Sequence, residues 1–198
     1  MISSVSDYVE IVKKLNCAMQ SEGIDYKGII YGQFMLTRAG PKIIEFNARF
    51  GDPEAMNVLT ILCDSFLEAA EGIATGTLST GCHFSPEATV CKYVVPEGYG
   101  TKPMAGQRID VDEESIRRTG AALYYAAVNE TEEGILTTSS RSIGIVGIGS
   151  SIEDAENMCE SAVSHVKGKV YVRHDIGRPQ LIKKRVDHMN SLRGAGHG

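Results

Sequence analysis

The fold of this chain is decided by the stretch Ile43-Ile-Glu-Phe-Asn-Ala-Arg-Phe-Gly-Asp-Pro-Glu54. It opens with a strand-like run that continues to Asn47, and it closes with the start of a helix. Asp52 has a side chain that can cap a helix, Pro53 suits the first helical position, and Glu54 favours the positive end of the helix dipole. We therefore expect a β-strand and an α-helix joined by a short turn.

The segments on either side extend this pattern. Strand-like runs at 27–37 and 42–47 flank the turn sequence Arg38-Ala-Gly-Pro41, so an antiparallel hairpin is the natural interpretation. Apolar residues at helical spacing predict a helix over 7–20, before the hairpin. After the hairpin, the same spacing predicts one helix that starts at Asp52 and fades at 72–76.

The second half of the chain is predicted to be rich in strands. A small, polar stretch at 77–86 is the candidate domain boundary. Further on, Ser150-Ser-Ile-Glu153 is a capping box that opens a helix with a regular apolar face. Strands followed by a helix that packs on one face of their sheet indicate the α+β class. The expected strands cover 88–95, 107–111, 121–128, 135–138, 143–148 and 170–173, and a tail helix is expected over 179–192.

The composition excludes several classes of protein. Of the 198 residues, 42% are apolar, which is ordinary for a globular protein and enough for a core. The formal net charge of −5 argues against a general nucleic-acid binder, which carries a basic surface. No apolar run approaches the ~18 residues of a membrane span, and the N-terminus lacks the pattern of a signal peptide. We therefore expect a cytoplasmic protein with neither a nucleic-acid nor a membrane partner.

Three polar side chains near the end of the second hairpin strand are candidate site residues. Residues two apart in a strand point to the same side of the sheet, so the Glu45 carboxylate and the Asn47 carboxamide project together, and Arg49 follows if the strand persists. Oxygen ligands of this kind suit Mg²⁺, and a guanidinium suits phosphate oxygens. The alternative is a solvated polar face at a strand end, and spacing alone favours that alternative.

The chain resembles a known family of ligases over most of its length. The passage that ends in Glu45-Phe-Asn-Ala-Arg-Phe-Gly-Asp-Pro-Glu54 resembles the closing part of an ATP-grasp ligase and, more narrowly, the phosphoribosylamine–glycine ligase family. The runs Ile135-Leu-Thr-Thr-Ser-Ser-Arg-Ser-Ile-Gly144 and Tyr171-Val-Arg-His-Asp-Ile-Gly177 are similar to that family's C-terminal domain. The resemblance implies the C-terminal lobe of an ATP-grasp domain at 1–80. A small antiparallel-sheet-plus-helix domain is expected to follow at 81–198.

The resemblance also implies an activity. It indicates an ATP-dependent ligase that joins glycine to 5-phosphoribosylamine through a glycyl phosphate, an early step of purine biosynthesis. ATP is then a substrate, and Mg²⁺ (or Mn²⁺) is the cofactor. The resemblance covers only about the C-terminal half of the family's protein. We therefore expect this chain to be inactive alone and to need the missing N-terminal half of the same enzyme as its partner.

The metal ligands and the catalytic arginine are the clearest site residues that the resemblance implies. Glu45 and Asn47 match the ligands of the metal that bridges the ATP phosphates. Arg49 matches the group that steadies the transferred phosphoryl and then the glycyl phosphate. Gln33 stands where many ATP-grasp enzymes carry an acidic ligand, so it offers only a neutral oxygen.

Five further residues are candidates for the substrate sites that the resemblance implies. Met35 and Ile44 match the apolar floor beneath the adenine, and ordinary core packing is the alternative for both. Asp52 either faces the glycine amine or caps its helix. Arg141 matches an arginine of the family's C-terminal domain, but Ser139 and Ser140 stand where the family usually has two glycines. The hydroxyls of 137–140, Ser140 among them, are expected to hold the ribose 5-phosphate together with Arg141, and a strand edge with threonines that favour β-structure is the alternative.

Two rival functions stay open at this point. One is another ATP-grasp carboxylate–amine ligase with a different acceptor. The other is a non-catalytic module that binds a nucleotide or a partner through the same surface. The first rival differs in the amine that drives ADP release, and the second releases no ADP.

Overall fold

A helix and a hairpin open the described part of the chain. The structure is a computed structural model that describes residues 5–78 and 81–194. Helix α1 covers Val5–Ser21, and strands β1 (Tyr31–Thr37) and β2 (Gly40–Asn47) pair antiparallel. The register places Gln33 opposite Glu45 and then shifts, so that β2 carries one extra residue at this point. The helix predicted at 7–20 and the hairpin are confirmed.

The single helix predicted after the hairpin is wrong, because the chain forms two helices there. Helix α2 covers Glu54–Thr60, and helix α3 covers Phe66–Thr75. After α2, the backbone N–H of Cys63 donates to the carbonyl of His83 at 3.0 Å, which takes it out of the helical hydrogen-bond pattern. The Ser65 hydroxyl then caps α3 by accepting an amide N–H of its first turn at 3.3 Å. Because the apolar residues keep their helical spacing across this break, the sequence pattern does not reveal it.

The second half of the chain is built from short strands and three helices within the described residues. One four-stranded sheet has the order β10-β3-β8-β5 and the other has the order β6-β7-β4-β9, and all pairs are antiparallel. The α+β class is confirmed. No helix in the described ranges is both long and apolar enough to cross a membrane. The elements, in chain order, are β3 (Ala88–Pro96), β4 (Arg108–Val111), α4 (Glu113–Thr119), β5 (Ala122–Tyr125), β6 (Val128–Thr131), β7 (Gly134–Thr137), β8 (Ile143–Gly149), α5 (Ile152–Val163), β9 (Val166–Gly168), β10 (Val170–Val172) and α6 (Pro179–Gly194).

The strand predicted at 121–128 is wrong as a single element. Its first half is β5, and its end starts β6, which belongs to the other sheet. Between them, the N–H groups of Ala126 and Ala127 donate to the carbonyls of Ser142 and Arg141, both at 2.9 Å, so the backbone stays paired while it changes sheet. Helix α4 and strand β9 are not predicted from the sequence, because they are too short to show a period.

Two helices cover the two faces of the β10-β3-β8-β5 sheet. Helix α5 lies on one face, and Gly147 allows it to approach β8, since a Cβ there would lie 2.0 Å from the carbonyl oxygen of Ala155. Helix α2 lies on the other face, where Asn57 donates to the Thr89 hydroxyl at 2.9 Å. The buried core on the α5 side contains Val90, Val94, Ile143, Ile145, Cys159 and Ala162.

The N-terminus of α5 shows which serine caps the helix. The predicted capping box starts one residue too early, because the N-cap is Ser151, whose Oγ accepts from the Asp154 N–H at 3.1 Å. Ser150 Oγ donates to the Asp154 carboxylate at 2.5 Å and is not the N-cap. Ser151→Ala is therefore expected to lower the free energy of unfolding by about 1 kcal/mol, and Ser150→Ala by clearly less. Urea denaturation followed by circular dichroism measures both, and equal losses would contradict this assignment.

The described residues divide into two compact units. The first unit contains the residues up to Gly51, 64–82 and those from Lys184 onward. The second unit contains Asp52–Cys63 and His83–Lys183, so α2 belongs with the strands of the second half. The division into domains at 1–80 and 81–198 stays a prediction. Ser79 and Thr80, inside the predicted boundary, lie outside the described residues.

Candidate functional site

The end of β2, in the first unit, brings three of the predicted site residues together. Asn47 Nδ2 donates to Glu45 Oε1 at 2.9 Å, as expected for side chains two apart on a strand. Although β2 ends at Asn47, the Arg49 guanidinium still reaches back and donates from Nη2 to Asn47 Oδ1 at 3.3 Å. Its Nη1 donates to the carbonyl of Phe50 at 2.7 Å. The result is an exposed cluster of a carboxylate, a carboxamide and a guanidinium.

The oxygen atoms of this cluster suit a hard divalent cation once the Asn47 amide is turned over. Such a cation prefers carboxylate and carbonyl oxygens and keeps several waters, so one or two protein ligands are enough. The Asn47 amide turns its nitrogen to Glu45 and its oxygen to Arg49. A half-turn of this amide places both oxygens on the same side. In the ranges that the structure covers, no three His, Cys, Asp or Glu side chains are grouped to hold a metal.

Two apolar residues of the hairpin are exposed. Met35 of β1 is 56% exposed and Ile44 of β2 is 51% exposed, so neither belongs to a core formed by the described residues. Ile44 is the extra residue of β2 where the register shifts. Packing in the described part of the chain therefore does not account for these two side chains, and contact with adenine stays a prediction.

A second cluster, in the second unit, joins Asp52 and Arg141 through a residue that is not predicted from the sequence. Tyr93 Oη donates to Asp52 Oδ1 at 2.5 Å. Arg141 Nη1 donates to Asp52 Oδ2 at 3.0 Å and to the Asp52 carbonyl at 3.3 Å. The guanidinium carbon of Arg141 also lies over the Tyr93 ring, 5.1 Å from its centroid. Each of these side chains therefore contacts the other two.

The alternative that Asp52 caps α2 is wrong. The N-cap of α2 is Pro53, which makes no side-chain cap hydrogen bond. The Asp52 carboxylate is already engaged by Tyr93 and Arg141, which explains why it does not turn to the helix. Asp52 is thus a member of a polar cluster.

Electrostatics fix the protonation of the two donors in this cluster. Partial burial and, next, the hydrogen bond to Asp52 raise the pKa of Tyr93, so the phenol keeps its proton. Burial alone would lower the pKa of Arg141, but the charges and hydrogen bonds of Asp52 and Tyr99 together outweigh it, and the net change is upward. The phenol therefore stays a donor and the guanidinium stays charged.

Only some of the hydroxyl groups at 137–140, just before Arg141, are available to bind a ligand. Thr137 Oγ1 donates to the carbonyl of Met104 at 2.9 Å, and Thr138 Oγ1 donates to the carbonyl of Ala127 at 2.8 Å. Both hydroxyls are thus committed to the backbone, as expected for a strand edge. Ser140 is exposed next to Arg141, so its placement is compatible with a ligand.

A buried charge network ties α5 to β3 and to the segment after β10. Lys92 is 0% exposed, and its Nζ lies 2.6 Å from Glu156 Oε1, 2.6 Å from Glu160 Oε2 and 3.2 Å from the His174 carbonyl. Three acceptors thus satisfy the three N–H groups of the ammonium. His174 Nδ1 lies 2.7 Å from Glu160 Oε1, and Arg178 lies 3.4 Å from Glu156. The network is structural, and a lone lysine in an apolar strand sequence is the signal that points to it.

Comparison with known proteins identifies the family. Residues 3–55 match the family model of the ATP-grasp (A) domain of phosphoribosylglycinamide synthetase, and residues 89–179 match the model of its C domain. The chain belongs to the phosphoribosylglycinamide synthetase family. The ATP-grasp match includes the Glu45–Asn47–Arg49 cluster, and the C-domain match includes Tyr93 and Arg141.

Individual members of the phosphoribosylglycinamide synthetase family are similar to this chain in sequence or in fold. A phosphoribosylamine–glycine ligase of Methanocaldococcus jannaschii is 53% identical over 93% of this chain and 42% of its own length. One of Methanothermobacter thermautotrophicus is 51% identical over 94% of this chain and 43% of its own length. The crystal structure of a phosphoribosylamine–glycine ligase from Thermotoga maritima has a TM-score of 0.75, with 24% identity over 87% of this chain and 43% of that one. This chain thus spans less than half the length of the relatives that it matches.

Proposed function

We propose that this chain supplies the C-terminal part of an ATP-dependent ligase that joins glycine to 5-phosphoribosylamine in purine biosynthesis. The observation that carries the proposal is the cluster of Glu45, Asn47 and Arg49 in a chain of this family. The proposed partner is the N-terminal half of the family's enzyme, and the proposed location is the cytoplasm. The ATP-grasp part ends near residue 80 in this proposal, and the C domain follows at 81–198.

The cluster fits a divalent cation, Mg²⁺ or Mn²⁺. Glu45 would bind it through a carboxylate oxygen, and Asn47 through Oδ1 after the half-turn of its amide. When bound, the cation neutralises charge on the ATP phosphates and lowers the barrier to phosphoryl transfer. The turn of Asn47 breaks the bond to Arg49, whose N–H groups then face the oxygens of the transferred phosphoryl. Met35 and Ile44 offer apolar surface to the adenine.

The substrates are assigned to residues of the second unit. Asp52 carries the negative charge that suits an amine, and Ser140 and Arg141 carry donors that suit a phosphate. Arg141 uses Nη1 on Asp52 and has further N–H groups in its planar fork. Asp52 and Arg141 therefore act as one pair in this proposal.

The chemistry consists of two displacements. A carboxylate oxygen of glycine attacks the γ-phosphorus of ATP, the bond to the ADP oxygen breaks, and glycyl phosphate and ADP result. The amine nitrogen of phosphoribosylamine then attacks the acyl carbon, the bond to the phosphate oxygen breaks, and the amine loses a proton. Neither step needs a side-chain nucleophile. The residues named above orient the reactants and stabilise negative charge.

The release of ADP tests this function. In an active ligase that contains this chain, we expect ADP release to require glycine together with phosphoribosylamine, formed in solution from ribose 5-phosphate and ammonia. Ammonia alone and ribose 5-phosphate alone are the controls. Turnover with a different amine would favour another ATP-grasp carboxylate–amine ligase. ATP binding without glycine-dependent ADP release would favour a non-catalytic nucleotide-binding module.

A further inference from the structure

Tyr93 lies in the middle of β3, on the sheet face that α2 covers. Its partner in the register on β8 is Gly144, which has no side chain. A Cβ at Gly144 would lie 3.6 Å from the Tyr93 ring and 2.5 Å from the Met56 sulfur, so the glycine leaves room for both side chains. At Tyr93 the backbone of β3 is paired with β8, and the pairing with β10 begins at the next residue, Val94. The phenol therefore projects from a rigid element.

The two ends of this phenol act on two different partners. The hydroxyl donates to Asp52 Oδ1 at 2.5 Å, while the ring lies beneath the Arg141 guanidinium at 5.1 Å. A hydrogen bond to a carboxylate is a strong, directional contact, and a cation over a ring face is attracted by the ring quadrupole. The remaining oxygen of Asp52 accepts from Arg141 at 3.0 Å. A single side chain thus holds both members of the ion pair.

We propose that Tyr93 is the positioning residue of the substrate site, because it fixes the Asp52–Arg141 pair through its hydroxyl and its ring. The role rests on the proposed function, in which Asp52 contacts the amine of glycine and Arg141 contacts the phosphate of phosphoribosylamine. Asp52 and Arg141 are 89 residues apart in the chain, and both are partly exposed, so solvent competes for each of them. An exposed ion pair alone holds its geometry weakly. The ring and hydroxyl of Tyr93 supply the missing constraint.

Tyr125 provides a matched control within the same sheet. Its hydroxyl donates to Glu113 Oε1 at 2.6 Å, so Tyr125→Phe also removes one phenol–carboxylate hydrogen bond. Tyr125 lies on β5 and belongs to the same second unit. Its carboxylate partner is not one of the proposed substrate residues. Any effect that Tyr93→Phe shows beyond Tyr125→Phe is therefore specific to the Asp52–Arg141 pair.

The first experiment uses the chain as it is. NMR of the arginine side chains measures the exchange of the Arg141 guanidinium protons with water in the wild type, Tyr93→Phe, Tyr93→Leu and Tyr125→Phe. We expect about a 10-fold faster exchange in Tyr93→Phe, because the variant loses the hydrogen bond that fixes Asp52, the acceptor of the Arg141 N–H. Loss of one hydrogen bond to a charged group corresponds to about this factor. Tyr93→Leu, which also removes the ring, should be faster still, and Tyr125→Phe should match the wild type. Equal exchange in wild type and both Tyr93 variants would overturn the proposal.

The second experiment uses the active ligase and separates positioning from general damage. Tyr93→Phe should raise KM for phosphoribosylamine with little change in kcat, and the effect should vanish when Asp52→Asn is already present, because Tyr93 acts through Asp52. Equal kinetic changes in Tyr93→Phe and Tyr125→Phe would overturn the proposal. Failure of the proposed function is seen separately, as an absence of glycine-dependent ADP release in the wild type.

Discussion

Lys92→Met is expected to lower the free energy of unfolding by about 3 kcal/mol, because it leaves two carboxylates without their buried partner. Lys92 is fully buried, and Glu156 is 7% exposed, so water cannot replace the lost ammonium. Arg178 stays 3.4 Å from Glu156 Oε1, which keeps the effect at the lower end of the usual range. Urea denaturation followed by circular dichroism is the measurement, since the chain has no tryptophan to serve as a probe.

The exposed Lys169 supplies the control for this variant. Lys169→Met removes the same charge from the surface and should leave the free energy of unfolding nearly unchanged. Adding Glu156→Gln to Lys92→Met should restore part of the loss, because it removes one of the unpaired charges. If Lys92→Met were as stable as Lys169→Met, the network would not carry the stability that we assign to it.

The same network sets a pH dependence. Burial alone would raise the pKa of Glu160, but the hydrogen bonds from Lys92 and His174 hold that pKa below its ordinary value. A carboxylate with a lowered pKa in the folded state stabilises the fold above its unfolded pKa, about 4.3, and loses this contribution as the pH falls through the folded value. As the pH falls below about 4.3, the free energy of unfolding of the wild type should therefore decrease more than that of Lys92→Met.

Glu45→Gln is expected to lower the turnover of the active ligase by about 100-fold or more, the scale on which loss of one preorganised charge acts. The substitution keeps the shape of the side chain but removes the negative charge that would bind the cation. Because Asn47 Nδ2 donates to Glu45 Oε1, the variant also weakens the contact that orients the amide. The measurement is kcat for glycine-dependent ADP release at saturating ATP, over a titration of Mg²⁺ and of Mn²⁺.

Glu22→Gln is the matched control, since Glu22 is an exposed glutamate of the same unit that lies outside the hairpin. It should leave turnover unchanged. Turnover of Glu45→Gln within about threefold of the wild type would contradict the assignment of Glu45 as a metal ligand. A higher cation concentration should restore part of the lost activity if weakened binding is the cause.

The sequence predicts the first candidate cluster well, because only local geometry is needed. Glu45 and Asn47 are two apart on one strand, and the strand period alone brings their side chains together. Arg49 follows within the reach of a long side chain. The roles of these residues come from the family resemblance, since an exposed polar strand end has the same spacing.

The members of the second cluster and the partners of the buried Lys92 cannot be predicted from the sequence, for a physical reason. The strand β3 is buried on both faces, so its sequence shows no alternation that would tell the side of Lys92 from the side of Tyr93. Asp52 is 41 residues from Tyr93 and 89 from Arg141, and only the tertiary fold brings them together. Asp52 in turn looks like a helix cap, because its sequence context satisfies that pattern equally well.

The packing of α2 limits where genes of this family can recombine without loss of stability. Residues 52–63 pack with strands that follow more than 20 positions later, through the bond from Asn57 to Thr89 and the packing of Met56 on Gly144. A recombination event with its crossover at residue 80 would take α2 from one parent and the sheet beneath it from the other. We therefore expect a chimera of two family members to fold stably when 52–63 and 83–183 come from the same parent, although 64–82 lie between them in the sequence.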